Sequence, residues 1–430
     1  MKHARMSRQR LTAAMAIGAA VCAATSVTPA MAFPVIEAAA PDTAVDAETA
    51  AAVLSIEPGS EILSAGWTGF LTSDTDADVR WTRYADGTST VLGRELVQAR
   101  STEWHGAMSD TVVMPRYNPS EGPAYQAAQL YDMASGAGPV EIDLRTLGGE
   151  YRYVGAVGTT VLAAVTTEAG QQAHLVTKDG ASLSDRTVTG LPTGAQDIRA
   201  TGSADEAVLL TYRTGELDAS RWHLALVDLA TATVTEAHDL GGHGVSRAAA
   251  LSGTHIAWFE RTASLSTMVL NVAERGGGTP RRETITGVDQ PVLGLIGDWL
   301  TYADATELHH GDPQDRLALT AVPLAGGTAH KLLEHVTTLV PSPDGTLLAM
   351  GGTLQSGEGI YRIAPGTDGM PAATLAASTG EPTGVAFLGH TVPSVIDLDK
   401  NRGQVSLAWR LSRLNITFKA TIRHVRTGLT

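Results

Sequence analysis

The sequence predicts an all-β protein, a β-propeller of about seven blades followed by a short further β segment. Three observations carry this. A unit recurs along the chain, made of a short apolar strand, a small or acidic turn and a second strand rich in β-branched and aromatic residues. Its turn residues Gly69, Asp110, Gly158, Asp205, Gly253, Gly297 and Gly345 are separated by 41, 48, 47, 48, 44 and 48 residues. No long amphipathic helix interrupts the series.

The N-terminal stretch has another purpose. Lys2, Arg5, Arg8 and Arg10 precede an apolar run from Leu11 to about Val27, and Ala30-Met31-Ala32 places small residues at both critical positions of a cleavage site. Residues 1–32 are therefore expected to be a secretion signal cleaved near Ala32, and the protein to be extracellular. The run is Ala-rich and short for a membrane span. Cys22, the only cysteine, follows Val21, a poor setting for lipidation. Without the signal the chain has no thiol, so burial and not disulfides must stabilise it. Residues 33–50 are rich in Ala, Pro and acids without periodicity and read as a flexible linker.

The propeller is expected over 51–390. The units lie at 62–72, 105–114, 154–165, 199–212, 249–259, 293–302 and 339–350. Third strands follow at 126–133, 222–229, 268–274, 316–324 and 359–365, and fourth strands at 139–144, 234–240 and 329–336. One small four-stranded sheet cannot bury both faces alone, whereas blades packed radially bury each other. The strand AAVLSI (51–56) is placed to pair into the last blade and close the ring, and TGVAFLG (383–389) leaves room for an eighth or irregular last blade.

PSPDGTLLAM (341–350) followed by GIYRIAP (359–365) resembles the repeat of TolB-type and related WD40-like propellers. The motif is specific in that blade and approximate elsewhere. The tail VPSVIDLDKNRGQVSLAWRLSRLNITFKATIRHVRTG (392–428) resembles the opening strands of FlgD-type immunoglobulin-like domains behind propellers in secreted actinobacterial proteins. WTGFLTSDTDADVRWTRYADGTSTVL (67–92) and YDMASGAGPVEIDL (131–144) are similar to the propellers of such proteins, which often continue into FG-GAP or VCBS repeats. These resemblances imply an extracellular repeat protein and name no activity. Such a sandwich needs about 100 residues, so 391–430 is expected to be a partial immunoglobulin-like segment, with strands at 404–411 and 414–422.

The formal charge is −14, and removing the signal leaves 27 basic against 45 acidic residues, or −18. That field repels phosphate backbones and anionic headgroups, which argues against nucleic acid and stable membrane insertion as partners. Asp74-Thr75-Asp76-Ala77-Asp78 alternates like a calcium loop, but Val79 and Ala85 stand where an EF-hand needs Gly and Glu, so a hairpin turn is expected. Asp397-Leu398-Asp399-Lys400-Asn401 is weakened by its lysine. His309 and His310, with Asp312 and Asp315, form the densest ligand cluster, yet adjacent residues on a strand face opposite ways. Metal binding is left open. Trp67, Trp81, Trp104, Trp222, Trp258 and Trp299, with His105 and His255, read as core between blades in preference to a sugar-binding face. Gly276-Gly277-Gly278 before Thr279-Pro280 suits a loop better than a phosphate cradle.

No serine-hydrolase elbow, P-loop or H-E-x-x-H motif is present. No catalytic or cofactor residue is therefore assigned and no cofactor expected. The expected function is a secreted, non-enzymatic binding or scaffold propeller whose ligand is an extracellular protein or glycan, in an oligomeric state the sequence leaves open. The alternatives are a carbohydrate-active enzyme with acids lining the channel and a truncated structural remnant.

Overall fold

The computed structural model describes residues 53–94, 102–117, 125–216, 219–241, 245–262, 267–305, 318–383, 387–391 and 408–411. The expected signal (1–32) and linker (33–50) lie outside the described residues. So do His309, His310, Asp312 and Asp315, the Asp397–Asn401 run and the 414–422 strand.

The expected ring of seven blades is present, as seven antiparallel meanders. Their four strands run 61–94 in blade 1, 151–187 in blade 3, 196–241 in blade 4, 245–286 in blade 5, 291–333 in blade 6 and 335–378 in blade 7. Among the described residues blade 2 has three, Thr111–Tyr117, Tyr125–Asp132 and Ala137–Asp143.

The ring is held by seven apolar clusters, one at each junction between neighbouring blades. Alternation of side chains along a strand produces this, because successive residues project to opposite faces. In Gly69–Ser73 of blade 1, Phe70 joins the cluster shared with blade 7, while Leu71 joins the one shared with blade 2. In Leu347–Thr353 of blade 7, Leu348 packs toward blade 1 and Ala349 toward blade 6. Strands buried on both faces read as continuous apolar runs, which is why the second strand of each blade is conspicuous in the sequence.

At the closing seam, Ile62 and Phe70 of blade 1 pack on Val340, Leu348 and Ile360 of blade 7. Arg362 lies 5.3 Å from the centroid of the Tyr84 ring and pairs with Asp344 at 2.8 Å, joining the two blades by a cation–π contact. Burial pushes the Tyr84 phenol up to about 12, against the pull of Arg362. The N-terminal strand does pair into the last blade, but in a form the sequence reading did not specify. Blade 7 has four strands of its own, and Leu54–Ser55 adds a fifth, parallel to Pro371–Ser378, with Leu54 opposite Ala377 and Ser55 opposite Ser378.

The described residues of Val53–Gly384 belong to one compact unit. Phe387–Thr391 belongs to a second, where it pairs antiparallel with Ala408–Leu411. Among the described residues, the strand at the end of TGVAFLG is part of a two-stranded sheet and not of a further four-stranded blade. No helix among the described residues is long and apolar enough to cross a membrane.

Candidate functional site

The first strands of the blades line the axis of the ring. Blade 2 is the exception and corrects the sequence reading, which placed a strand just before Asp110. There the chain forms the 3₁₀ turn Thr102–His105, which lies beside the first strands of blades 1, 3 and 4 and so stands inside the channel.

Local chemistry fixes this turn. The Tyr153 hydroxyl on blade 3 donates to the Trp104 carbonyl at 2.7 Å. Trp104 is held edge-on between Tyr153, at 5.1 Å, and Tyr125, at 5.0 Å. Gly155 allows the close approach, since a Cβ there would stand 2.8 Å from the Ala200 Cβ and 3.3 Å from the Glu103 Cβ. His105 Nδ1 lies 3.2 Å from the Val113 carbonyl. Burial first, and the Glu103 charge second, raise the Tyr153 phenol well above its ordinary value, so it remains a hydroxyl donor.

The turn delivers Glu103 to the axis, fully buried, where the Ser203 hydroxyl of blade 4 donates to its Oε1 at 3.1 Å. Enclosing a carboxylate is costly unless hydrogen bonds compensate. A cavity of about 230 Å³ adjoins it, walled by first strands of blades 1, 4, 5, 6 and 7. Its lining is chiefly aliphatic, including Leu63, Leu251, Leu293 and Leu339, with Glu61, Glu103, Thr201 and Ser203 as polar groups. A second cavity of about 230 Å³ opens at the face where first strands turn into second strands. An apolar pocket with a few converging polar groups is the geometry of a ligand site.

Of the candidate site residues singled out in the sequence, Trp104 and His105 lie in the axial turn and the others fall elsewhere. Asp74 Oδ1 accepts from the Asp76 and Asp78 N–H groups, both at 2.9 Å, and Oδ2 from Arg80 Nε at 3.0 Å. Arg94 bonds the Asp76 carbonyl and the Asp78 carboxylate. The loop is the expected turn, its acids engaged by its own backbone and by arginines. Trp81, Trp104 and Trp258 are buried in three junction clusters, Trp222 packs at the margin of the one that holds Trp258, and Trp299 packs at the margin of a fourth. Trp67 departs from the expected core role, being 63% exposed. His255 Nδ1 lies 2.9 Å from the neighbouring Thr254 hydroxyl. Gly276 donates its N–H to Glu236, within a loop as expected. Glu103 was missed, because its partner Ser203 is 100 residues away and no local motif joins them.

Burial of the Asp74 carboxylate works against its ionisation, but the Asp78 N–H, Arg80 and the Asp76 N–H outweigh it and hold its pKa below the ordinary 3.8. A group depressed on folding contributes stability that is present above the unfolded pKa and lost as pH falls through the folded one. Stability to urea is therefore expected to hold from pH 7 to 5 and to decline below about pH 4, less steeply in Asp74→Asn. Identical acid profiles for the two proteins would refute this.

No family model matches the chain, and no curated protein matches it. Solved structures similar to it include hydrazine synthase from Kuenenia stuttgartiensis, at 11% identity and TM-score 0.45 over 73% of this chain and 98% of that one. The Dos1 propeller is similar at 12% identity and TM-score 0.44, over 78% and 89% of the two chains. TolB from Acinetobacter baumannii is similar at 13% identity and TM-score 0.32, over 64% and 71%.

Proposed function

We propose that the protein is a secreted, non-enzymatic binding propeller of the cell exterior, in which a rigid ring of blades holds a ligand at the axis. The observation that carries this reading is the cavity beside Glu103, where aliphatic walls and a few polar groups converge. Fold alone names no ligand. The basic, apolar and small-residue pattern of 1–32 supports export, and the tail supports a partial immunoglobulin-like segment behind the ring.

Glu61 and Glu103 line the same cavity, which gives the carbohydrate-active alternative its one foothold. A panel of cell-wall oligosaccharides, peptides and small amines, screened by thermal shift and product analysis, separates the two. At least one compound is expected to raise the melting temperature of the full chain, less so in Glu103→Gln, without product. Turnover abolished in both Glu61→Gln and Glu103→Gln would overturn the non-enzymatic reading, and no shift with any compound would overturn the channel as the site.

A further inference from the structure

A strand at the outer edge of a sheet presents unpaired backbone N–H and C=O groups, and charged residues on it keep other chains from pairing there. Six of the seven blades follow this rule. Their outer strands carry Arg94, Glu141, Asp185, Glu236, Arg281 and Lys331 in blades 1 to 6. In blade 7 the strand Pro371–Ser378 reads PAATLAAS and holds no charged residue. Leu54–Ser55 covers it only at Ala377 and Ser378, so residues 371–376 have no strand partner on the outer side among the described residues.

A second observation falls on the same stretch. Six large apolar side chains are exposed among the described residues, and two of them flank it. Met370, 39% exposed, immediately precedes Pro371, while Val53, 51% exposed, immediately precedes Leu54 and so stands level with Ala376. Between them Ala372 and Thr374 face solvent. The chain carries a net charge of −14, so two copies repel each other over most of their surface. Along this edge that repulsion is least.

We propose that the outer edge of blade 7 is a homodimer interface, in which the uncovered stretch of Pro371–Ser378 pairs antiparallel with the same strand of a second copy. The edge is complementary to itself. A twofold axis at Ala373 sets Pro371 of each copy opposite Leu375 of the other, because antiparallel positions mirror one another about such an axis. Met370 then arrives at the level of Ala376, where Val53 of the other copy stands, so each exposed apolar side chain covers its counterpart. That match selects a second copy over an unrelated extended peptide, which would meet the backbone alone. The inference is independent of what the axial cavity binds.

The test is sedimentation equilibrium of the full chain over a concentration series up to about 100 μM, which brings out a dimer of micromolar affinity. A reversible monomer–dimer equilibrium is expected, tightening as salt screens the like charges of the two copies. Ala372→Lys combined with Thr374→Lys puts cations on the two solvent-facing positions of the edge and should raise the dissociation constant at least about tenfold. Thr284→Lys combined with Thr286→Lys, an equal charge change at exposed positions on the outer strand of blade 5, should leave it unchanged. The parent protein supplies a second readout, since the outward amide protons of 372–376 should exchange more slowly as its concentration rises. A monomer at every concentration, or equal weakening by the two pairs of substitutions, would overturn the proposal. Slow exchange of those amides already in the dilute monomer would overturn it too, because the edge would then be covered from within the chain.

Discussion

Replacing Trp81 with alanine is expected to cost about 3–5 kcal/mol and to lower the calorimetric midpoint by roughly 5–10 °C. Trp81 is 1% exposed and is the largest side chain of the cluster between blades 1 and 2, where it meets Leu63, Leu71, Val79, Val112 and Met114. The surrounding backbone is shaped to it. A Cβ on Gly66 would lie 2.7 Å from the indole, and one on Gly69 equally close, so neither site can collapse into the space an alanine leaves. The indole N–H meets no acceptor among the described residues. Trp81→Phe keeps much of the buried ring and removes that unpaired donor, and is expected to cost about 1–2 kcal/mol. A midpoint for Trp81→Ala within 2 °C of the parent (a change of roughly 1 kcal/mol or less) would show that this junction does not bear on ring stability.

Tyr153→Ala should have an effect of similar size with a different signature. It removes a fully buried ring from the cluster between blades 2 and 3 and the hydroxyl that fixes the Trp104 carbonyl, so about 3–5 kcal/mol is expected. The 102–107 segment loses its anchor, and its amide protons should exchange faster than those of the blade 5 strands. Tyr153→Phe retains the contact with Trp104 and leaves a buried carbonyl short of a donor, at about 1–2 kcal/mol. Protection of 102–107 unchanged in Tyr153→Ala would mean that the axial turn is held by something other than this side chain.

Much of the ring was legible because its repeating unit is local. The second strands are apolar on both faces, and the turns between inner strands fall on small or acidic residues at regular intervals. Outer strands were read in blades 2, 4 and 6, but those of blades 3 and 5 escaped notice for the opposite reason. Ser182–Thr187 and Arg281–Thr286 are largely solvent-facing, and SLSDRT and RRETIT carry no apolar rhythm to betray a strand. The axial site was less legible still. Glu103 looks like any polar residue before a turn, and its burial follows from Tyr153, Gly155 and Ser203 on other blades. Asp205 was read as a turn marker, which it is. That its carboxylate borders the mouth depends on the blades around it.

Because the seven clusters close on themselves, the ring has no terminal blade. An open stack frays from its ends, where a unit is held on one side only. Here any blade that detaches must break two interfaces at once, including blade 7, whose outer edge also carries the Leu54–Ser55 strand. Partial opening is thereby made nearly as costly as loss of the whole ring, so the ring, though assembled from small sheets, is expected to melt as one cooperative body.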